Sequence, residues 1–190
     1  MKIGLFFGSF NPVHIGHMII ANHMAEYTDL DQIWMVISPQ NPLKLKTSLA
    51  KDHDRLHLVQ IAIGNNSKLK ASNAEFNLPI PSYTIDTLTY LKEKHPEKTF
   101  SLIMGGDNIE GIENWKNYET LLAEYDIYVY QRPGYQIGKY SIHPRVKVLF
   151  APMIDISATF IRNALKNKKS IQYLVPDIVF HYLENSNMYR

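Results

Sequence analysis

Lys2-Ile3-Gly4-Leu5-Phe6-Phe7-Gly8-Ser9-Phe10-Asn11-Pro12-Val13-His14-Ile15-Gly16-His17 stands at the start of the chain. Residues 2–7 form a short, mostly apolar run that stops at Gly8, the pattern of a buried first strand. From residue 16 to 27, apolar side chains recur at helical spacing (Met18, Ile19, Met24, Ala25), so a helix follows. Strand, glycine turn and helix together make the layout of a phosphate site. Gly8 lets the backbone turn sharply and come close to a ligand. The N–H groups and positive dipole end of the next helix face the same pocket. His14 and His17 are three residues apart, so on one helical turn they project to one side. Imidazoles placed there can donate hydrogen bonds to phosphate oxygens and stabilise developing negative charge. The same pair also fits ordinary core or surface histidines. A metal pair would need a third ligand, and no Asp, Glu or Cys is near in sequence.

The rest of the chain extends this alternation. Residues 32–37, 99–104, 126–130 and 146–150 read as strands, and 69–76 as a weaker one. Residues 52–63, 82–94, 115–124, 157–166 and 176–184 read as helices. Residues 41–50, with Pro42, Lys44 and Lys46, read as a polar loop, and 135–145 as a short flexible connection. Strands alternating with helices of roughly ten to fifteen residues predict an α/β fold with a largely parallel sheet.

At 190 residues the chain suits one domain, with a small helical C-terminal part over about 150–190. The composition, 45% hydrophobic and 20% charged, is that of a globular protein able to bury a core. A net charge of +2 and the lack of a basic stripe interleaved with aromatics argue against nucleic acid as a partner. The apolar start is too short for a signal peptide, and no apolar run approaches the ~20 residues that span a bilayer. No membrane partner and a cytoplasmic protein are therefore expected. With no cysteine, neither a disulfide nor a Cys-based zinc site can form. The sequence sets no oligomeric state, and a homo-oligomer is compatible with it.

A second constellation is Ile156-Ser157-Ala158-Thr159-Phe160-Ile161-Arg162, which follows the strand 146–150. Ser157 is placed to cap a helix whose start carries hydroxyls that suit phosphate. Arg162, one turn in, offers a charge-assisted fork to a polyphosphate. An ordinary capped helix with a solvated arginine has the same sequence.

The string Gly-Ser-Phe-Asn-Pro-x-His-x-Gly-His after a first strand resembles the signature of the HxGH nucleotidyltransferase superfamily. Ile156–Arg162 is similar to its second hallmark. The resemblance implies a Rossmann-like, doubly wound sheet with helices on both faces and a nucleotide at the C-terminal strand ends. It further implies ATP contacts from Gly8, Ser9, Phe10, His14, Gly16, His17, Gly105, Asp107, Ile156, Ser157, Thr159 and Arg162. Of these, His14, His17 and Arg162 would act on the reacting phosphates. Mg²⁺ is expected to arrive on ATP, with no dedicated protein metal site.

Ser38-Pro39-Gln40-Asn41-Pro42-Leu43-Lys44, Pro81-Ser82-Tyr83-Thr84-Ile85-Asp86-Thr87-Leu88, Gly105-Gly106-Asp107-Asn108 and Arg132-Pro133-Gly134 resemble segments of the bacterial nicotinate-nucleotide adenylyltransferases. This second resemblance runs from residue 3 to about 165. It implies ATP and nicotinate mononucleotide as substrates, with Asn11, Ser38, Lys44, Tyr83, Thr84, Asp107, Trp115 and Arg132 on the acceptor. A helix N-terminus near Thr84 suits a carboxylate. Trp115 offers a flat ring to a pyridinium. Each has an ordinary alternative: a core ring for Trp115, a solvated charge for Lys44, a helix cap for Asp107, a buried ring for Tyr83. Phosphopantetheine adenylyltransferases usually carry Thr at the position of His14. Cytidylyltransferases usually carry Arg-Thr-x-Gly where this chain has Met153-Ile154-Asp155. An amide-preferring relative, or a non-catalytic nucleotide-binding regulator on the same fold, stays open.

Overall fold

The computed structural model describes residues 1–39 and 49–190. In chain order the elements are β1 (Lys2–Gly8), α1 (Ile15–Tyr27), β2 (Gln32–Ile37), α2 (Asp52–Ile63), β3 (Leu69–Ser72), α3 (Thr84–Lys94), β4 (Thr99–Gly105), α4 (Gly106–Glu110), α5 (Tyr118–Glu124), β5 (Ile127–Tyr130), β6 (Val146–Leu149), α6 (Ala158–Lys166) and α7 (Asp177–Glu184). The strands form one sheet in the order β3-β2-β1-β4-β5-β6, and every pairing is parallel. This is the doubly wound Rossmann order, with its switch point at β1 and β4.

Period-two alternation explains the two layers. Ile3, Leu5, Trp34 and Val36 face a cluster with Ile85, Leu88 and Leu91 of α3. Phe6, Ile33, Met35 and Ile37 face the opposite side, against Ile20 and Met24 of α1 and Leu58 and Val59 of α2. Both faces are covered, which is why these strands read as near-continuous apolar runs. Ile161 of α6 and Val179 and Leu183 of α7 join the second cluster, so the C-terminal helices share the core of β1 and β2.

Several boundaries differ from the sequence expectation. The helix expected over 115–124 begins at Tyr118, because Asn117 has φ +53, a left-handed value that an α-helix cannot continue through. Trp115 instead ends a 3₁₀ turn over Ile112–Asn114. The strand expected over 69–76 stops at Ser72, and a turn follows in which Phe76 N–H donates to Asn73 C=O. The connection 135–145 contains a 3₁₀ turn, Gly138–Ile142, whose Tyr140 is buried in the core. The five-residue α4 is too short to show a helical period in sequence. The polar loop expected over 41–50, Lys44 included, lies outside the described residues up to residue 48. No helix among the described residues is long and apolar enough to cross a membrane.

Candidate active site at the strand ends

The loop after β1 and the start of α6 meet above the C-terminal end of the sheet. Ser9, Asn11, His14, Gly16, His17, Arg132, Ile156, Ser157, Thr159 and Arg162 line one cleft of about 400 Å³ there. The sequence segments are more than 120 residues apart, and the parallel sheet brings them together because each leaves a strand at the same end.

Close packing shapes the first part. Phe10 is buried with φ +43, and its ring meets the His17 imidazole edge-on at 5.0 Å. A Cβ at Gly8 would fall 2.9 Å from that ring. A Cβ at Gly16 would fall 3.1 Å from both His14 Nδ1 and Ile156 Cγ2. Glycine at 16 therefore lets the first turn of α1 close against His14 and the second motif.

His14 and His17 stack with ring centroids 3.6 Å apart. The His14 backbone N–H donates to His17 Nδ1 at 3.2 Å, as N-cap to N3 of α1. An accepting Nδ1 carries no proton, so this bond selects the tautomer in which His17 Nε2–H is the donor. His14 is buried. Burial, reinforced by the positive charge of Arg132, lowers its pKa to about 4, so it is neutral at pH 7. Its Nδ1 has no hydrogen-bond partner among the described residues.

The second part is built by α6. Ser157 caps the helix, its Oγ accepting from Phe160 N–H at 3.2 Å. Arg162 donates to the Asn11 carbonyl at 2.8 Å and to Thr159 Oγ1 at 3.2 Å. The guanidinium thus joins the two motifs directly. Arg132 enters from the end of β5 and is held by Asp107 of α4 at 3.0 Å. Asp107 does not line the cleft. It fixes Arg132, which does, and its second oxygen is buried with no partner among the described residues.

The other singled-out residues lie elsewhere. Gly8, Phe10 and Gly105 form the packing beneath and beside the cleft rather than its lining. Tyr83 caps α3 and is 37% exposed, so it is not a buried ring, and Thr84 is the first residue of that helix. Trp115 is half-buried between two core clusters. Lys116 connects these elements, 2.9 Å from Asp86 and 4.9 Å from the centre of the Tyr83 ring. None of Ser38, Tyr83, Thr84 and Trp115 lines the cleft. Among the described residues there is no group of three or more His, Cys, Asp or Glu suited to a metal.

The sequence reading missed Tyr130, Met153 and Ile154 in the lining, apolar residues with no motif of their own. It also missed Arg55, which is 0% exposed. A signal for it existed: Arg55, Leu58, Val59 and Ala62 recur at i, i+3, i+4, i+7, placing an arginine on the apolar stripe of α2.

A doubly wound parallel sheet with this cleft at its strand ends is the architecture of a nucleotidyltransferase, and the model of the cytidylyltransferase-like family matches residues 5–164. A probable nicotinate-nucleotide adenylyltransferase of Flavobacterium johnsoniae is 52% identical over the whole of both chains. One of Cytophaga hutchinsonii is 55% identical over 92% of this chain and 91% of its own. The solved nicotinic acid mononucleotide adenylyltransferase of Plasmodium falciparum, complexed with NaAD, superposes with a TM-score of 0.83 at 25% identity, covering 99% of this chain and 97% of that one. This chain belongs to the nicotinate-nucleotide adenylyltransferase family.

Proposed function

We infer that the cleft transfers the adenylyl group of ATP to nicotinate mononucleotide, giving nicotinate adenine dinucleotide and pyrophosphate, a step of NAD synthesis. One observation carries this reading: the His14–His17 turn and the Ser157–Arg162 helix start line a single cleft. The acceptor phosphate is already ionised at neutral pH, so no strong general base is needed. One of its oxygens attacks the α-phosphorus in line. The new P–O bond forms as the bond from the α-phosphorus to the bridging oxygen breaks, and pyrophosphate leaves. Catalysis is then mainly positioning and charge stabilisation.

In this reading His17 Nε2–H donates to an α- or β-phosphate oxygen. The neutral His14 donates one further bond without adding a charge. Ser9 and Phe10 offer backbone N–H groups to nearby oxygens. Arg162, with Ser157 and Thr159, holds the β/γ end, and Arg132 adds positive charge across the cleft. Mg²⁺ would enter on the triphosphate and neutralise its charge. His14, His17, Arg132 and Arg162 in the cleft are donors suited to phosphate oxygens, which fits a metal carried on the triphosphate. Tyr83, Thr84, Trp115 and Asn11 are assigned to the acceptor. Its carboxylate would lie at the α3 N-terminus, where the dipole favours an anion. The reading places the protein in the cytoplasm, with its nucleotide substrates.

Pyrophosphate release from ATP, measured across a panel of acceptors, tests the reading. Turnover should be highest with nicotinate mononucleotide. Equal kcat/KM for the acid and the amide would remove the carboxylate argument, and turnover with neither would remove the reaction.

A further inference from the structure

The guanidinium of Arg55 is fully buried, yet Arg55 is not among the residues that line the cleft. Burying a charge is costly unless every face of it is paired. Arg55 meets that demand almost wholly with backbone. Its Nη1 donates to the carbonyls of Ser9 and Ser38, the latter at 3.0 Å, its Nε donates to the carbonyl of Ala50 at 3.1 Å, and its Nη2 donates to Asp52 at 2.6 Å. Ser9 lies on the loop that leads from β1 to His14, and Ser38 directly follows β2. The carbonyls of two neighbouring strand ends are therefore held by one rigid fork.

A second layer continues the brace. Asn11 Oδ1 accepts from Ala50 N–H at 3.1 Å and from Tyr189 O–H at 2.8 Å, while the Asn11 carbonyl accepts from Arg162 at 2.8 Å. Ala50 is thus gripped on its C=O by Arg55 and on its N–H by Asn11. Tyr189, beyond α7, closes the chain of contacts onto the same asparagine.

We propose that Arg55, extended by Asn11 and Tyr189, is a positioning residue that sets the spacing between the His14–His17 loop and the end of β2, and so the alignment of the attacking phosphate with the α-phosphorus. The proposal rests on the adenylyl-transfer reading. On this proposal ATP lies against the loop and the acceptor phosphate toward the end of β2, and only the transition state needs both at once. Loosening the brace should therefore lower kcat more than it raises either KM. A displacement of an ångström at the reacting atoms is enough to cost on the order of 10²-fold in rate.

The test is steady-state kinetics of the full chain with both substrates varied, alongside thermal unfolding. R55K keeps the charge but loses the planar fork. It should lose roughly tenfold or more in kcat, with each KM within about threefold of wild type. Y189F removes one hydroxyl and should lose about threefold in kcat with folding intact. A folded R55K with wild-type kcat, or with losses confined to KM, overturns the proposal. Should R55K not fold, Y189F decides in the same way: an unchanged kcat overturns it. An inactive wild type defeats the adenylyl-transfer reading itself, whereas an active wild type beside an unaffected variant defeats only the role of Arg55.

Discussion

The two ends of the same sheet treat their polar groups in opposite ways. At the N-terminal strand ends, charges satisfy one another. Lys2 sits 2.8 Å from Asp29 and 3.0 Å from Asp126, Lys147 lies 3.1 Å from Asp29, and Arg145 is 3.3 Å from Asp126. Burial alone would lower the pKa of Lys2, but hydrogen bonds with Asp29, Tyr128 and Asp126 outweigh it and raise it well above the usual lysine range. Asp29, bonded first of all by Lys2, is held well below the usual carboxylate range. At the C-terminal strand ends, His14 Nδ1 and Asp107 Oδ1 are buried with no partner among the described residues. Burial lowers the His14 pKa and raises that of Glu75, so in both cases the neutral form is favoured. One end is a network of ion pairs that satisfy one another. At the other end His14 lines the cleft, where a ligand can supply the partner its Nδ1 lacks.

The largest expected effect lies at the cleft end. H17A should lower kcat by about 10²–10³, the loss typical of one donor aimed at developing phosphate charge. A loss under threefold in a pyrophosphate-release assay would take His17 out of the mechanism.

Acid titration sets the two ends against each other. The folded pKa of His14, about 4, is below the ordinary 6.5, so between those values the unfolded chain binds the extra proton and stability falls as pH falls. The full loss is about 3 kcal/mol, taken as 1.36 kcal/mol per pKa unit. Glu75 has the opposite sign: its raised folded pKa stabilises the fold as pH drops. The His14 share is therefore read as the difference between wild type and H14Q in urea unfolding at pH 7 and pH 4.5. Parallel pH dependences would show that His14 does not titrate as a buried imidazole. Asp29 contributes stability above its ordinary pKa of 3.8 that is lost only below it, so the N-terminal network should fail in a later, more acidic window.

The smallest effect is expected from D29N. The Asp29 side chain is 58% exposed, so water screens its pairs, and the loss should be about 1 kcal/mol or less with kcat unchanged. A kcat change of several-fold would mean that the two ends are coupled through β1, contrary to the contrast drawn between them.

Legibility in the sequence followed the range of the interactions. The strands of the core were readable because an all-parallel sheet covered on both faces requires continuous apolar runs. Ser157 was readable as a cap because capping is local, Oγ to an N–H three residues on. The start of α5 was not, because a left-handed Asn117 interrupts an otherwise helical pattern. Arg55 was not either, although its place on an apolar stripe hinted at burial, because its partners Ser9 and Ser38 are 46 and 17 residues away.

Residue order alone sets the alternation of strand and helix, the glycine turn and the hydroxyl-and-arginine helix start, since each depends on neighbours within a turn or two. Folding adds what those segments have in common. It places the two motifs on one cleft, joins them through Arg162 and the Asn11 carbonyl, neutralises His14 by burial, and lays Arg55 beneath two strand ends. Those features depend on distance and desolvation between groups far apart in the chain, and neither quantity exists until the sheet has formed.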